Sequence, residues 1–314
     1  MEAEVTGIPH SAAKVPLNDA AHDWRLLLPL WAFLAVWFGQ FFLALAPSWS
    51  DGTYYDYGFL TPPLVVMIFA TRWSEATANI APKALLESVG TTFRSRVVWV
   101  VGFLSILMAA LLRLMETVDS GWRAPLYLHW VLVWGLTALV LGKSIGFRQT
   151  LPFIPIVILT FLSIPLPSSI EFSLIHGLTE QVMETSVSIN QFMGYPLTMS
   201  GETIFANGIP LQVSEGCSGI RSFQSSIFAS FVIGEFLRLK WPLRIVLIFA
   251  SALAAFIGNS GRVIFLVRHA FEHGDENLQK LHDVSGYVSL AITMAAIFLI
   301  GLALDRIRIR TRKP

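Results

Sequence analysis

Residues 245–266 read IVLIFASALAAFIGNSGRVIFL, a run of membrane-spanning length interrupted by one charge, Arg262. A bilayer core of ~30 Å needs about 20 apolar residues as a helix, so this stretch predicts a transmembrane helix. Similar apolar segments occur at 26–46, 59–71, 97–115, 126–141, 149–166, 217–237 and 286–304. The second is short and carries Pro62 and Pro63, which predicts a broken or re-entrant start. Charged residues make up 14% of the chain, against about 25% in soluble domains, too few to coat a water-facing surface. The expected fold is therefore all-α: a polytopic membrane bundle of about eight transmembrane helices.

The orientation follows from basic residues. Of 22 lysines and arginines, only Arg113, Arg123, Arg268 and Lys280 fall in one set of loops, and the stretch 167–216 has none. Arg221 and Arg262 fall inside spans, and the remaining sixteen lie on the side carrying both termini. The positive-inside rule then predicts both termini in the cytoplasm of a multi-pass inner-membrane protein. Residues 1–24 read as a short cytoplasmic tail, 25–304 as the transmembrane domain and 305–314 as a basic cytoplasmic tail. The first span serves as an uncleaved anchor. The net charge of +1 gives no reason to expect nucleic acid.

The stretch 167–216 is the largest extracytoplasmic element. Residues 170–193 predict an amphipathic helix with Phe172, Ile175, Leu178, Val182 and Met183 on one side. Three short strand-like runs follow at 197–199, 203–205 and 209–213, separated by Ser200-Gly201 and Asn207-Gly208 turns. A small β-hairpin element thus leads directly into the sixth helix.

The polar residues within or beside the spans gather at the outer side. The sixth helix is expected to start near Glu215-Gly216-Cys217-Ser218-Gly219-Ile220-Arg221, placing Cys217 in its first turn. There, free backbone N–H groups and the helix dipole favour a thiolate. Cys217, Arg221 and Gln224 or Ser225 would share one face. Asn259 and Arg262 share a face near the expected outer end of the seventh helix, and His282 precedes the eighth. An arginine inside a span costs ~2.5–3.5 kcal/mol on insertion scales, so a wet or interior position with a task is expected. Cysteine is a nucleophile, histidine an acid and base near neutral pH, and arginine a fixed donor to an oxyanion. With one cysteine, neither an internal disulfide nor a cysteine metal cluster can form.

Val213-Ser214-Glu215-Gly216-Cys217-Ser218-Gly219-Ile220-Arg221-Ser222, Asn259-x-x-Arg262 and His282 before a last span resemble the exosortase/archaeosortase signature. Ile164-Pro165-Leu166-Pro167 resembles that family's Pro-Leu-Pro ending of a span. Asp56-Tyr57-Gly58-Phe59-Leu60 resembles its early His-Gly element, with Tyr57 where a histidine is usual. The resemblance covers about residues 25–304. It implies a membrane-embedded cysteine protease/transpeptidase acting on exported proteins with a PEP-CTERM-like tail of motif, helix and basic end. On that reading Cys217, Arg262 and His282 are catalytic. Arg221, Asn259 and Glu215 contact the substrate or support the site. The acceptor is a lipid or polysaccharide, and neither cofactor nor metal is called for.

Rival readings stay open at this point. Gly216–Gly219 and Gly258–Gly261 both read Gly-x-Ser-Gly, which would allow a rhomboid-like serine protease using Ser218 or Ser260 with His282. His269-Ala270-Phe271-Glu272-His273 matches a metalloprotease motif, with Asp275, Glu276 or His282 needed as a third ligand. A non-enzymatic transporter or assembly protein is the remaining alternative.

Overall fold

The computed structural model describes residues 27–310 apart from 52–53, 120, 202, 207, 213–218 and 275–276. The expected tail 1–24 therefore lies outside the described residues. Ten α-helices and one small sheet form the described part: α1 (Leu28–Ser50), α2 (Thr61–Thr77), α3 (Pro82–Arg94), α4 (Arg96–Val118), α5 (Ala124–Ile145), α6 (Ile154–Leu162), α7 (Ser168–Phe192), β1 (Leu197–Ser200), β2 (Thr203–Ala206), β3 (Ile209–Gln212), α8 (Ile220–Phe236), α9 (Trp241–His273) and α10 (Leu278–Arg310). A helix occupies the described part of each of the eight expected apolar segments, though α6 ends at Leu162, and α1, α4, α5, α9 and α10 are long and apolar enough to cross a membrane. The other three, α2, α6 and α8, are shorter, at 17, 9 and 17 residues. The protein is a polytopic helical membrane protein.

Proline marks many of the starts: it occupies the first turn of α1, α2, α3, α5, α6 and α9, where its missing N–H costs nothing. Pro62 and Pro63 thus open α2 after a 3₁₀ turn at Asp56–Leu60 instead of breaking it. Residues 71–96, expected as a loop, hold the end of α2 and the amphipathic α3. Leu85, Val89 and Thr92 of α3 are buried at i, i+4 and i+7. A polar helix lying along the bundle end carries no long apolar run, so hydropathy alone misses it.

The main core joins α1, α2, α5, α6 and α8 through residues such as Phe41, Ile68, Val133, Ile156 and Phe231. A second core binds α7, β1 and β2 to the far third of α9 through Val182, Met183, Leu197, Ile204, Val263 and Val267. The expected hairpin element is present as a three-stranded antiparallel sheet, ordered β1-β2-β3. Its register pairs Met199 with Ile204 and Ile204 with Leu211. Ile175, Val182 and Met183 are buried on α7 as expected, whereas Phe172 is exposed.

The last two helices outrun their apolar segments. Each has 33 residues, about 50 Å long against a bilayer core of ~30 Å. Asn259 and Arg262 therefore do not lie near the end of the seventh helix, which continues to His273. His282 is the fifth residue of α10, not a residue ahead of it. Hydropathy ends where the lipid ends, but α9 continues because its far third packs against α7 and the sheet.

Candidate functional site

Close helix packing builds the site. At Gly258 a Cβ would lie 2.6 Å from Thr293 Oγ1, so only glycine lets α10 approach α9 this closely. One turn further along α9 is Arg262, which faces the start of α10. Arg262 Nη2 lies 2.8 Å from His282 Nε2 and 3.3 Å from the His282 carbonyl oxygen. A guanidinium only donates, so Nε2 accepts and the ring proton sits on Nδ1. From there it is donated to Asp283 Oδ1 at 3.1 Å. The tautomer is thereby fixed, with the lone pair of Nε2 turned toward Arg262. Gly286, one turn along α10, gives the guanidinium a flat wall: a Cβ there would sit 3.5 Å from Arg262 Cζ. Arg262 Nε is buried with no hydrogen-bond partner among the described residues.

The third wall is the start of α8. The helix begins at Ile220, three residues after the expected start, because Gly219 adopts φ +78° as its N-cap. Gly219 packs directly on Asn259: a Cβ there would be 2.6 Å from Asn259 Cγ. Asn259, itself buried, thus holds the N-cap of α8 against the helix that carries Arg262. Cys217 and Glu215, like Ser218, lie outside the described residues. Of the expected stripe, Arg221 lines this site and also stands 3.9 Å from Asp56.

Together these walls enclose a cavity of about 300 Å³, lined by Arg221, Arg262 and His282 among others. Tyr54, Asp283 and Tyr287 complete it and were not anticipated. Asp283 could have been found, since an acid beside a histidine is a readable pair. Tyr54 carries no such signal, because only the return of the segment after α1 brings it here.

Beneath the cavity Tyr55 acts as a hub. Its hydroxyl donates to Glu171 Oε1 at 2.9 Å and accepts from the Leu166 backbone N–H at 2.8 Å and Gln224 Nε2 at 3.2 Å. Burial pushes the hydroxyl well above the ordinary tyrosine range, which keeps it protonated. The early element and the Pro-Leu-Pro ending meet at this point. Tyr57, in the usual histidine position, donates to the Leu162 carbonyl and packs on Phe228, away from the cavity.

The rival motifs fare differently. Ser260 Oγ is buried without a hydrogen-bond partner among the described residues, so it forms no dyad with His282. Glu272 accepts from Tyr195 and Arg268, and the rings of His269 and His273 stack at 4.6 Å. Among the described residues no three metal-ligating side chains converge. Of the third ligands that the metalloprotease motif would need, Asp275 and Glu276 lie outside the described residues, and His282 is engaged with Arg262.

Neither a curated relative nor a solved structure matches the chain. The family model described as Transmembrane exosortase matches residues 49–299. That match spans the whole cavity, from Tyr54 to Leu290, and most of the chain, which belongs to the transmembrane exosortase family.

Proposed function

We propose that residues 25–304 form a cysteine protease/transpeptidase that cuts the C-terminal sorting tail of exported proteins and passes the product to an acceptor. The observation that carries this reading is the Arg262–His282 pair, held beside Gly219 in one cavity. Cys217 is two residues from Gly219, a reach of at most about 7 Å. Family membership supports action on exported proteins within the membrane. The distribution of basic residues supports a cavity on the extracytoplasmic face and both termini in the cytoplasm.

The substrate's own helix lies against the bundle, and its motif enters the cavity. The substrate carbonyl draws Arg262 from His282, freeing Nε2 to take the Cys217 proton. The thiolate adds to the carbonyl carbon, and Arg262 holds the oxyanion. The C–N bond breaks as His282 returns the proton to the leaving amine, leaving a thioester on Cys217. His282 then takes a proton from the acceptor nucleophile, which attacks the thioester and releases the thiolate. Arg221, Asn259 and Glu215 contact the substrate or hold the segment before α8. The acceptor is a lipid or polysaccharide; water in its place gives simple proteolysis.

The test is conversion of a tagged exported protein bearing a motif–helix–basic tail, co-expressed with wild type or with Cys217→Ala, Arg262→Ala or His282→Ala. Each variant should accumulate in the membrane and leave the tag unprocessed. Full conversion by a well-folded Cys217→Ala protein overturns the mechanism.

A further inference from the structure

A second cavity of about 220 Å³ adjoins the first across Ile220, which lines both. Tyr55, Tyr57, Tyr127, Phe223 and Phe228 ring it, and Gln224 reaches it from α8. The tyrosine hydroxyls are already engaged: Tyr55 donates to Glu171, Tyr57 to the Leu162 carbonyl and Tyr127 to the Pro165 carbonyl. What they present to the cavity is ring surface, so the walls are apolar and aromatic. Gln224 is different. Tyr55 has one proton, given to Glu171, and can only accept from Gln224, so the amide must turn its NH₂ to the tyrosine. Its Oε1 is left buried, without a partner among the described residues. A buried amide oxygen in that state is free to accept from a ligand, and a peptide N–H is a fitting donor.

We infer that this cavity is a specificity subsite: it takes one large uncharged side chain of the substrate, while a main-chain N–H of the same segment donates to Gln224 Oε1. The volume is below the roughly 300–1,000 Å³ of sites for whole small ligands, which fits a single side chain. A lipid chain would suit the aromatic walls but brings no N–H for Gln224. The inference rests on the proposed peptide-cleaving role of the neighbouring cavity.

The experiment uses the full-length protein and a tagged tail substrate in which each residue flanking the cleaved bond is changed in turn to Ala, Leu, Phe or Lys. At one position wild type should favour Leu or Phe over Ala and Lys by about tenfold or more, the discrimination expected of an apolar pocket. Ile227→Trp, which fills the cavity, should reduce that preference at least about tenfold. Gln224→Leu should slow all substrates about tenfold while keeping the preference. Membrane abundance and melting temperature check folding, and Leu174→Trp, on another wall, replaces Ile227→Trp if that protein fails to accumulate. Uniform processing at every position by wild type overturns the subsite, as does a preference that neither filling variant changes. Stoichiometric lipid in purified wild type, lost on filling without a change in preference, also overturns it. No conversion of any substrate by wild type instead overturns the peptide-cleaving role beneath it.

Discussion

Arg262 Nη2 donates to His282 Nε2 across 2.8 Å, so the ring nitrogen best placed to move a proton is held by a cation. If Arg262 must leave that nitrogen and then hold an oxyanion, its planar fork matters and not only its charge. Arg262→Lys is expected to lower substrate conversion by about 10²-fold, in the range seen when one oxyanion donor is lost. Single-turnover conversion of the tagged tail measures this. Near-wild-type rates in Arg262→Lys would mean that a point charge suffices.

Asp283 accepts the Nδ1 proton of His282, but its side chain is 60% exposed. Solvent screens an exposed carboxylate, so its loss should cost far less than loss of the imidazole. Asp283→Ala is expected to slow conversion about tenfold, clearly less than His282→Ala. Asp283→Asn should fall between Asp283→Ala and wild type, because its amide oxygen can still accept from Nδ1–H. A loss in Asp283→Ala equal to that in His282→Ala would make the carboxylate an essential partner and contradict this order.

How much of this was readable in advance can be seen at individual residues. The apolar runs gave the helices, because lipid leaves few choices for a 22-residue apolar stretch, and the 3.6-residue period put Asn259 and Arg262 on one face. Strand-like runs broken by Gly201 and Gly208 gave the sheet. The ends of α9 and α10 were not readable: past the bilayer a helix is set by its packing partners, and Val267 and Phe271 acquire theirs from α7 and the sheet only in three dimensions. For the same reason His282 looked like a loop residue. The start of α8 depends on Gly219 meeting Asn259, a contact across 40 positions that no local pattern signals.

That contact gives a prediction with its own control. Gly219 combines φ +78° with a site where a Cβ would lie 2.6 Å from Asn259 Cγ. Gly219→Ala therefore faces about 1–2 kcal/mol of backbone strain plus a steric clash. It is expected to reduce conversion at least about tenfold. Adding Asn259→Gly removes the clash but not the strain, so the double variant should fold better than Gly219→Ala while remaining slower than wild type. Melting temperature and conversion, measured on all three proteins, separate the two effects. Additive losses in the double variant would show that the two residues do not act through their contact.

At the opposite end of α8, Glu235 accepts from both Arg72 of α2 and Arg244 of α9, and all three side chains are largely buried. Arg244 also donates to the Leu239 carbonyl, so the carboxylate fixes the turn between α8 and α9 as well as the neighbouring α2. Glu235→Gln takes the counter-charge from buried Arg244 and leaves Arg72 with Glu75 alone, a defect of about 3–5 kcal/mol. In detergent the melting temperature should fall by on the order of 10 °C. Glu75 is more exposed and bridges Arg72 and Arg238 at the same end, so Glu75→Gln should lower it by only about 1–3 °C. Glu235 lies fifteen residues along α8 from Ile220, about 22 Å from the site. The Glu235→Gln protein that remains folded at low temperature should accordingly convert substrate at close to the wild-type rate. Conversion lost at a temperature where the variant is fully folded would instead couple this ion-pair cluster to the chemistry at the other end.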